Sequence, residues 1–215
     1  MSDRAQELLE RFRDQRSRRV VFISHCLLNE NVRYLGGAFH PGAVRAALAP
    51  FFDQGIGIVQ MPCPEQRAWG GVLKRRILRH YGTRSRLPPV ALRAFLGYTR
   101  WIYRRLARRI VRDLEDYLRS GFEVVGIVGI GGSPSCGVVR TLDLRRSLPV
   151  IADPTIDRDT LNARAIAECV IPGRGLFVEA LRRRLHRRGI EVSLLEFDLV
   201  SEIHGQPRPI TPAGQ

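Results

Sequence analysis

The chain has 215 residues, 44% of them hydrophobic, the composition of an ordinary globular domain with room for one sizeable core. No run of about 18 uncharged apolar residues occurs, so no transmembrane helix and no membrane partner are expected. The N-terminus lacks the apolar segment of a secretory signal, and the expectation is a cytoplasmic protein. The net charge is +14, carried by arginine, with Lys74 the one lysine. That charge reads either as an arginine bias or as an electrostatic footprint for a polyanion such as RNA.

The predicted elements alternate. Residues 2–18 read as a surface helix, capped by Ser2 or Asp3 and carrying Leu8, Leu9 and Phe12 as an apolar stripe. A short β-branched run, Arg19 to Ser24, reads as the first strand and leads through His25 into Cys26. The stretch Cys26 to Gly37 is rich in Asn and Gly and reads as a loop. Pro41 to Gln54 reads as a helix stopped by Gly55. The second strand, from Ile56 to Met61, runs through Pro62 into Cys63, and the flanking prolines fix the backbone there.

Residues 74–120 lack strand signals and read as a helical insertion. Within it, Pro88 to Ser120 is a long helix with Gly97 as a place for a kink. Phe95, Leu106, Ile110, Leu114 and Tyr117 share one face of that helix. Arg100, Arg104, Arg108 and Arg112 recur along the other, with Trp101 among them. This stripe reads as a solvated face or as a phosphate-contacting surface on which Trp101 stacks bases.

The third strand begins near Glu123 and ends in Gly131-Gly132-Ser133-Pro134-Ser135-Cys136-Gly137. Pro149 to Ala152 reads as a short strand, Thr155 to Cys169 and Leu176 to Arg188 as helices, Ile190 to Phe197 as the last strand, and residues 206–215 as a flexible tail. The expected fold is a single α/β domain over residues 1–215, a mostly parallel sheet flanked by helices.

Four cysteines without a C-x-x-C pair fit neither a disulfide scaffold nor a zinc ribbon. Three of them, Cys26, Cys63 and Cys136, stand just beyond predicted strands. In an open parallel sheet, ligands bind beyond the carboxyl ends of the strands, so these thiols are expected to converge on one pocket. Three thiolates can hold a 4Fe-4S cluster with one iron left open to a soft substrate atom. Three-cysteine zinc, or one catalytic cysteine assisted by His25, are the other readings. Cys169 lies late in a helix and reads as a structural thiol. Ser24, His25, Asn29, Arg33 and Ser135 flank the thiols in sequence and are the candidate substrate contacts.

Several motifs together resemble the 2-thiouracil desulfidase family. They are Ser24-x-Cys26-Leu27-Leu28, Val32-Arg33-Tyr34-x-Gly36-Gly37, Cys63-Pro64-Glu65, Ser133-Pro134-Ser135-Cys136-Gly137 and Pro172-Gly173-x-Gly175-Leu176-Phe177. The resemblance spans about Val20 to Leu199. It implies a 4Fe-4S cluster on Cys26, Cys63 and Cys136, which removes sulfur from a thiopyrimidine as hydrosulfide without net redox change. It also implies Glu65 as acid/base and Ser133 as a substrate-binding or proton-donating group. The chain departs from the family at Asn29, at Leu35 and in the arginine-rich stretch after Glu65, which bears on the substrate: a small thiolated base or nucleoside, or a thiolated tRNA. A further reading keeps the cluster or a nucleic-acid surface without catalysis.

Overall fold

The computed structural model describes residues 3–84, 87–203 and 210–212. In its first half the elements are α1 (Asp3–Arg11), β1 (Arg19–Ser24), α2 (His25–Leu28), a 3-10 turn (Glu30–Val32), α3 (Arg45–Asp53), β2 (Gly57–Met61), α4 (Pro64–Ala68), α5 (Arg75–Leu78) and α6 (Pro89–Arg119). Then follow β3 (Glu123–Ile130), β4 (Arg140–Leu142), α7 (Leu144–Ile151), α8 (Arg158–Arg164), a π-helical turn (Ala165–Cys169), β5 (Val170–Pro172), α9 (Leu176–His186), β6 (Leu194–Phe197), α10 (Leu199–Ile203) and β7 (Thr211–Pro212).

The main sheet has the order β2-β1-β3-β6-β7. Its first four strands are parallel, and β7 pairs antiparallel with β6. β4 and β5 form a separate antiparallel pair. The chain leaves β1 for β2 on one side and later returns to place β3 on the other. The order therefore reverses at β1, and the crevice beyond β1 and β3 is where such sheets hold ligands.

β1 is buried on both faces, which is why it reads as a continuous apolar run. Val20 and Phe22 join Ile127 in a core closed by Tyr103, Ile110 and Leu114 of α6 and by Phe177 and Leu181 of α9. Val21 and Ile23 join Val128 and Ile130 in a second core closed by Ala47, Leu48 and Phe51 of α3. Each fully buried aliphatic or aromatic side chain contributes roughly 1.5–3 kcal/mol, so packing against α6 and α9 is what fixes one layer of the fold. The expected α/β class, a parallel sheet flanked by helices, is what is found.

Several boundaries differ from those read in the sequence. The N-terminal helix stops at Arg11, and Arg13 turns left-handed at φ 50°. α3 begins at Arg45 rather than Pro41. The stretch 74–120 holds α5 and α6, and α6 is the crossover that covers the sheet between β2 and β3. Gly97 leaves α6 unbroken over its 31 residues; a Cβ there would meet no neighbour.

The expected strand at Pro149 to Ala152 is instead the end of α7. Asp143 caps that helix by accepting from the amide of Arg145 at 2.8 Å, and Val150 and Ile151 are buried. Pro149 removes a helical hydrogen bond to the carbonyl of Arg145, a residue exposed to water, so the cap and the buried face prevail. The helix expected over 155–169 divides into α8 and the π turn, and the last strand begins at Leu194. Of the tail expected to be flexible, Thr211 and Pro212 pair with β6, and 206–209 and 213–215 lie outside the described residues. Among the described residues, no helix is long and apolar enough to cross a membrane.

Candidate functional site

Each of the three strand-end cysteines is presented by its own local device. Cys26 sits in α2, the single helical turn that follows β1 directly. Cys63 is the N-cap of α4, where its Sγ accepts from the amide of Gln66 at 3.4 Å and Pro64 takes the first helical position. Cys136 rides on the loop after β3. Ser133 Oγ turns that loop by accepting the amides of Ser135 at 3.3 Å and Cys136 at 3.0 Å. Gly129 lies beneath the Cys136 carbonyl and Gly175 against the backbone of Ser135. A Cβ at either position would collide with that backbone, so the loop seats directly on the sheet end and on the start of α9.

All three cysteines line one cavity of about 130 Å³. Beside them stand Arg33, Tyr34, Glu65, Trp69, Lys74, Tyr81, Ser133 and Asn162. The opposite wall is aliphatic and comes from Leu142, Leu144, Val150, Ile151, Leu161, Ile166 and Val170. The π turn contributes Ala165 and Ile166 to this wall, a common placement for such irregular turns near functional sites.

Glu65 projects from α4 and is nearly buried, at 8% exposure. Its Oε2 pairs with Lys74 Nζ at 2.5 Å, and its Oε1 accepts from Ser135 Oγ at 2.9 Å. Ser135 Oγ in turn shares a 2.8 Å hydrogen bond with the hydroxyl of Tyr103, which is fully buried. Lys74 adopts a left-handed backbone, φ 48° and ψ 50°, which costs a non-glycine residue roughly 1–2 kcal/mol. Burial alone would lower the Lys74 pKa, yet Glu65 and the thiols of Cys63 and Cys26 carry it above the ordinary lysine value.

The thiols respond to the same burial. Burial raises Cys26 against the pull of Arg33 and pushes Cys63, with help from Glu65, up to about 12. Burial and then the neighbouring Cys26 raise Cys136 well above the usual thiol range, against a hydrogen bond with Ser24. All three shifts run upward, opposite to the depressed thiols of cysteine nucleophiles. His25 does not assist them. Its Nδ1 faces Gln60 Nε2 at 2.5 Å, and burial, then Arg67, lowers its pKa.

Of the residues read from the sequence, Cys26, Cys63, Cys136, Glu65, Ser133 and Arg33 stand together on the cavity wall. Ser24, His25, Asn29 and Ser135 do not line it. Ser24 Oγ donates to the Val128 carbonyl at 3.0 Å, beneath the sheet end. Asn29 Oδ1 accepts from the amide of Asn31 at 3.1 Å and so caps the 3-10 turn. Ser135 acts one step behind, through Glu65. Cys169 is fully buried, packed with Val150, Ile151 and Leu161 of the cavity wall, and does not itself line the cavity.

Sequence reasoning missed Lys74, Tyr81, Asn162 and the aliphatic wall. For Lys74 a signal existed, since it is the one lysine among 35 basic residues. For the wall there was none, because its residues come from five short elements far along the chain.

Two buried carboxylates hold the surrounding loops. Glu196 Oε2 accepts from the amides of Val138 at 2.8 Å, Val139 at 2.6 Å and Arg140 at 3.3 Å. Glu30, fully buried, accepts from the amides of Phe39 at 2.6 Å and His40 at 2.7 Å and pairs with Arg33 at 2.7 Å.

The donor set bears on the cofactor the resemblance implies. Among the described residues, no group of three His, Cys, Asp or Glu side chains closes around a single metal ion. A cluster needs something else: thiolates spread around a common space, one to each iron. Three soft donors on one cavity, with no fourth cysteine on its wall, fit a cluster that keeps one iron free of protein sulfur.

Fold and site together define an α/β protein with a three-thiol cavity at the reversal point of a parallel sheet. The chain is similar to the uncharacterized protein MJ0003 of Methanocaldococcus jannaschii, 22% identical over 125 residues, which are 58% of this chain and 71% of that one. No family model matches the chain, and no solved structure matches it.

Proposed function

We propose that the protein is a 4Fe-4S-dependent, non-redox desulfidase that replaces the thiocarbonyl sulfur of a small thiolated pyrimidine base or nucleoside with oxygen and releases hydrosulfide. The observation that carries this reading is the meeting of Cys26, Cys63 and Cys136 with the carboxylate of Glu65 on one cavity. When bound, the cluster would supply a Lewis-acidic iron with affinity for the sulfur of the substrate.

The chain's own groups do the rest. Glu65 borders the cavity and is the carboxylate in place to take a proton from attacking water. Ser135 and Tyr103 hold that carboxylate from behind. Ser133 lines the cavity with its oxygen committed to two amides, which leaves its hydroxyl proton to donate. The aliphatic wall excludes bulk water and gives a ring-sized group an apolar surface to lie on.

Raised thiol pKa values and the engagement of His25 with Gln60 weigh against a metal-free cysteine hydrolase. The test is anaerobic reconstitution with iron and sulfide, followed by spectroscopy and a sulfide-release assay on 2-thiouracil and its nucleoside. The expected result is bound iron and stoichiometric conversion of thiocarbonyl to carbonyl. A protein that takes up no iron, or takes it up and releases no sulfide from either compound, overturns the proposal.

A second reading, thiolated tRNA as the substrate, is favoured by the outer face of α6. Arg100, Arg104, Arg108 and Arg112 are exposed there, and among the described residues they have no ion-pair partner. Trp101 is half-exposed, with the Arg105 guanidinium 5.0 Å from its ring centre. A base would then reach the cavity only when extruded from its stack. Steeply salt-dependent tRNA binding that weakens when these arginines are replaced by glutamine would support this reading, and salt-independent binding would end it.

A further inference from the structure

Lys74 is the one lysine in a chain whose other cationic side chains, within its 35 Lys and Arg residues, are all arginine. Among the described residues it shares the thiol cavity with one other basic side chain of that set, Arg33. Lys74 is 5% exposed, lines the thiol cavity and ends a turn in which Gly70, Gly71 and Lys74 all have positive φ. That turn winds the chain back from α4 into α5, and the left-handed conformation belongs to the residue whose ammonium meets Glu65 at 2.5 Å.

The chemistry of the pair explains why lysine stands here. An arginine fork tends to take both oxygens of a carboxylate at once. An ammonium is a point charge and takes one. With Lys74 on Oε2 and Ser135 on Oε1, the Glu65 carboxylate is fixed from two directions, and each oxygen keeps acceptor capacity.

We propose that Lys74 is the positioning residue for Glu65, setting the orientation of its carboxylate toward the thiol-lined cavity, and that this role requires lysine rather than arginine. The proposal rests on the desulfidase reading above, in which Glu65 handles the proton of the attacking water. Misplacement of a reacting group by about 1 Å can cost on the order of 100-fold in rate, so the pair has a kinetic signature.

The experiment compares wild type, Lys74→Met, Lys74→Arg, Glu65→Gln and the double variant Glu65→Gln/Lys74→Met, all reconstituted with iron and sulfide. Both single Lys74 variants are expected to lose about 100-fold in kcat, with KM, iron content and cluster spectrum near wild type. The double variant is expected to be no slower than Glu65→Gln, because Lys74 acts through that carboxylate. It also removes both charges together, so it keeps the test open if Lys74→Met fails to fold. Wild-type kcat in Lys74→Arg, or additive losses in the double variant, would overturn the proposal.

Amine labelling read by mass spectrometry separates this pairing from the enzymatic reading, because Lys74 carries the only ε-amino group. Lys74 is expected to resist acylation in the wild type and to react faster in Glu65→Gln. If the wild type releases no sulfide while Glu65→Gln unmasks Lys74, the desulfidase reading falls and the pairing stands. Equal labelling in both proteins overturns the pairing itself.

Discussion

Glu196, on the last parallel strand, accepts the backbone amide of Val139 at 2.6 Å, and the same oxygen also takes the amides of Val138 and Arg140. The loop that carries Cys136 is thus tied down by a side chain from β6 as well as by β3, whose Ile130 amide donates to the Cys136 carbonyl at 2.9 Å. Replacing Glu196 with alanine leaves buried donors unmet, and hydrogen bonds to charged groups contribute roughly 1.5–3 kcal/mol each. We expect Glu196→Ala to lose about 3 kcal/mol, a fall in Tm of roughly 6–12 °C for a chain of this size. Glu196→Gln, which keeps an acceptor oxygen, should lose less. Thermal unfolding of both variants checks this, and equal Tm values would show that the anchor is not the carboxylate.

The three cavity thiols and the remote one make opposite predictions. Cys26→Ser, Cys63→Ser and Cys136→Ser should each lower the iron retained after reconstitution and abolish sulfide release. Cys169→Ala should retain iron, because Cys169 packs among Val150, Ile151 and Leu161 instead of lining the cavity. Its cost should be a stability loss on the order of 1 kcal/mol, for the buried volume removed. Iron analysis per protein decides the assignment; iron loss in Cys169→Ala would replace it.

Glu65→Gln keeps the size of the side chain and its hydrogen bond from Ser135 but loses the negative charge. Iron content should be unchanged. Turnover should fall by roughly 10²–10⁴-fold, the usual contribution of a general acid or base. Single-turnover sulfide release measures it, and a wild-type rate would remove Glu65 from the chemistry.

The acid stability of the chain should report Asp198. Burial alone would raise its carboxyl pKa, but Ser201 and Arg140 outweigh it and hold the pKa below the ordinary aspartate value. A carboxyl with a depressed folded pKa stabilises the fold fully above its unfolded value, 3.8, and that stability is lost as pH falls through the folded value. Asp198→Asn should therefore lower stability at pH 7 and flatten the decline below about pH 4. Denaturant unfolding at several pH values measures the difference, and parallel curves would refute it.

By itself the sequence determined the layers and the addresses of the thiols. Strands buried on both faces must be short, apolar and β-branched, so β1 and β3 are legible as runs that end just before Cys26 and Cys136. The apolar stripe of α6 follows the helical period, so its buried face is legible too. What only the tertiary structure decided is what surrounds those thiols. Whether Lys74 points outward like the arginines beside it or inward to Glu65 depends on a left-handed turn that no periodicity announces. Likewise, residues 142–170 become a cavity wall only because α7, α8 and the π turn fold against the sheet end. Local preference even argued for a strand at Pro149, and burial of Val150 and Ile151 reversed it. Periodicity records which face of an element leaves water; it carries no record of which distant element arrives to cover it.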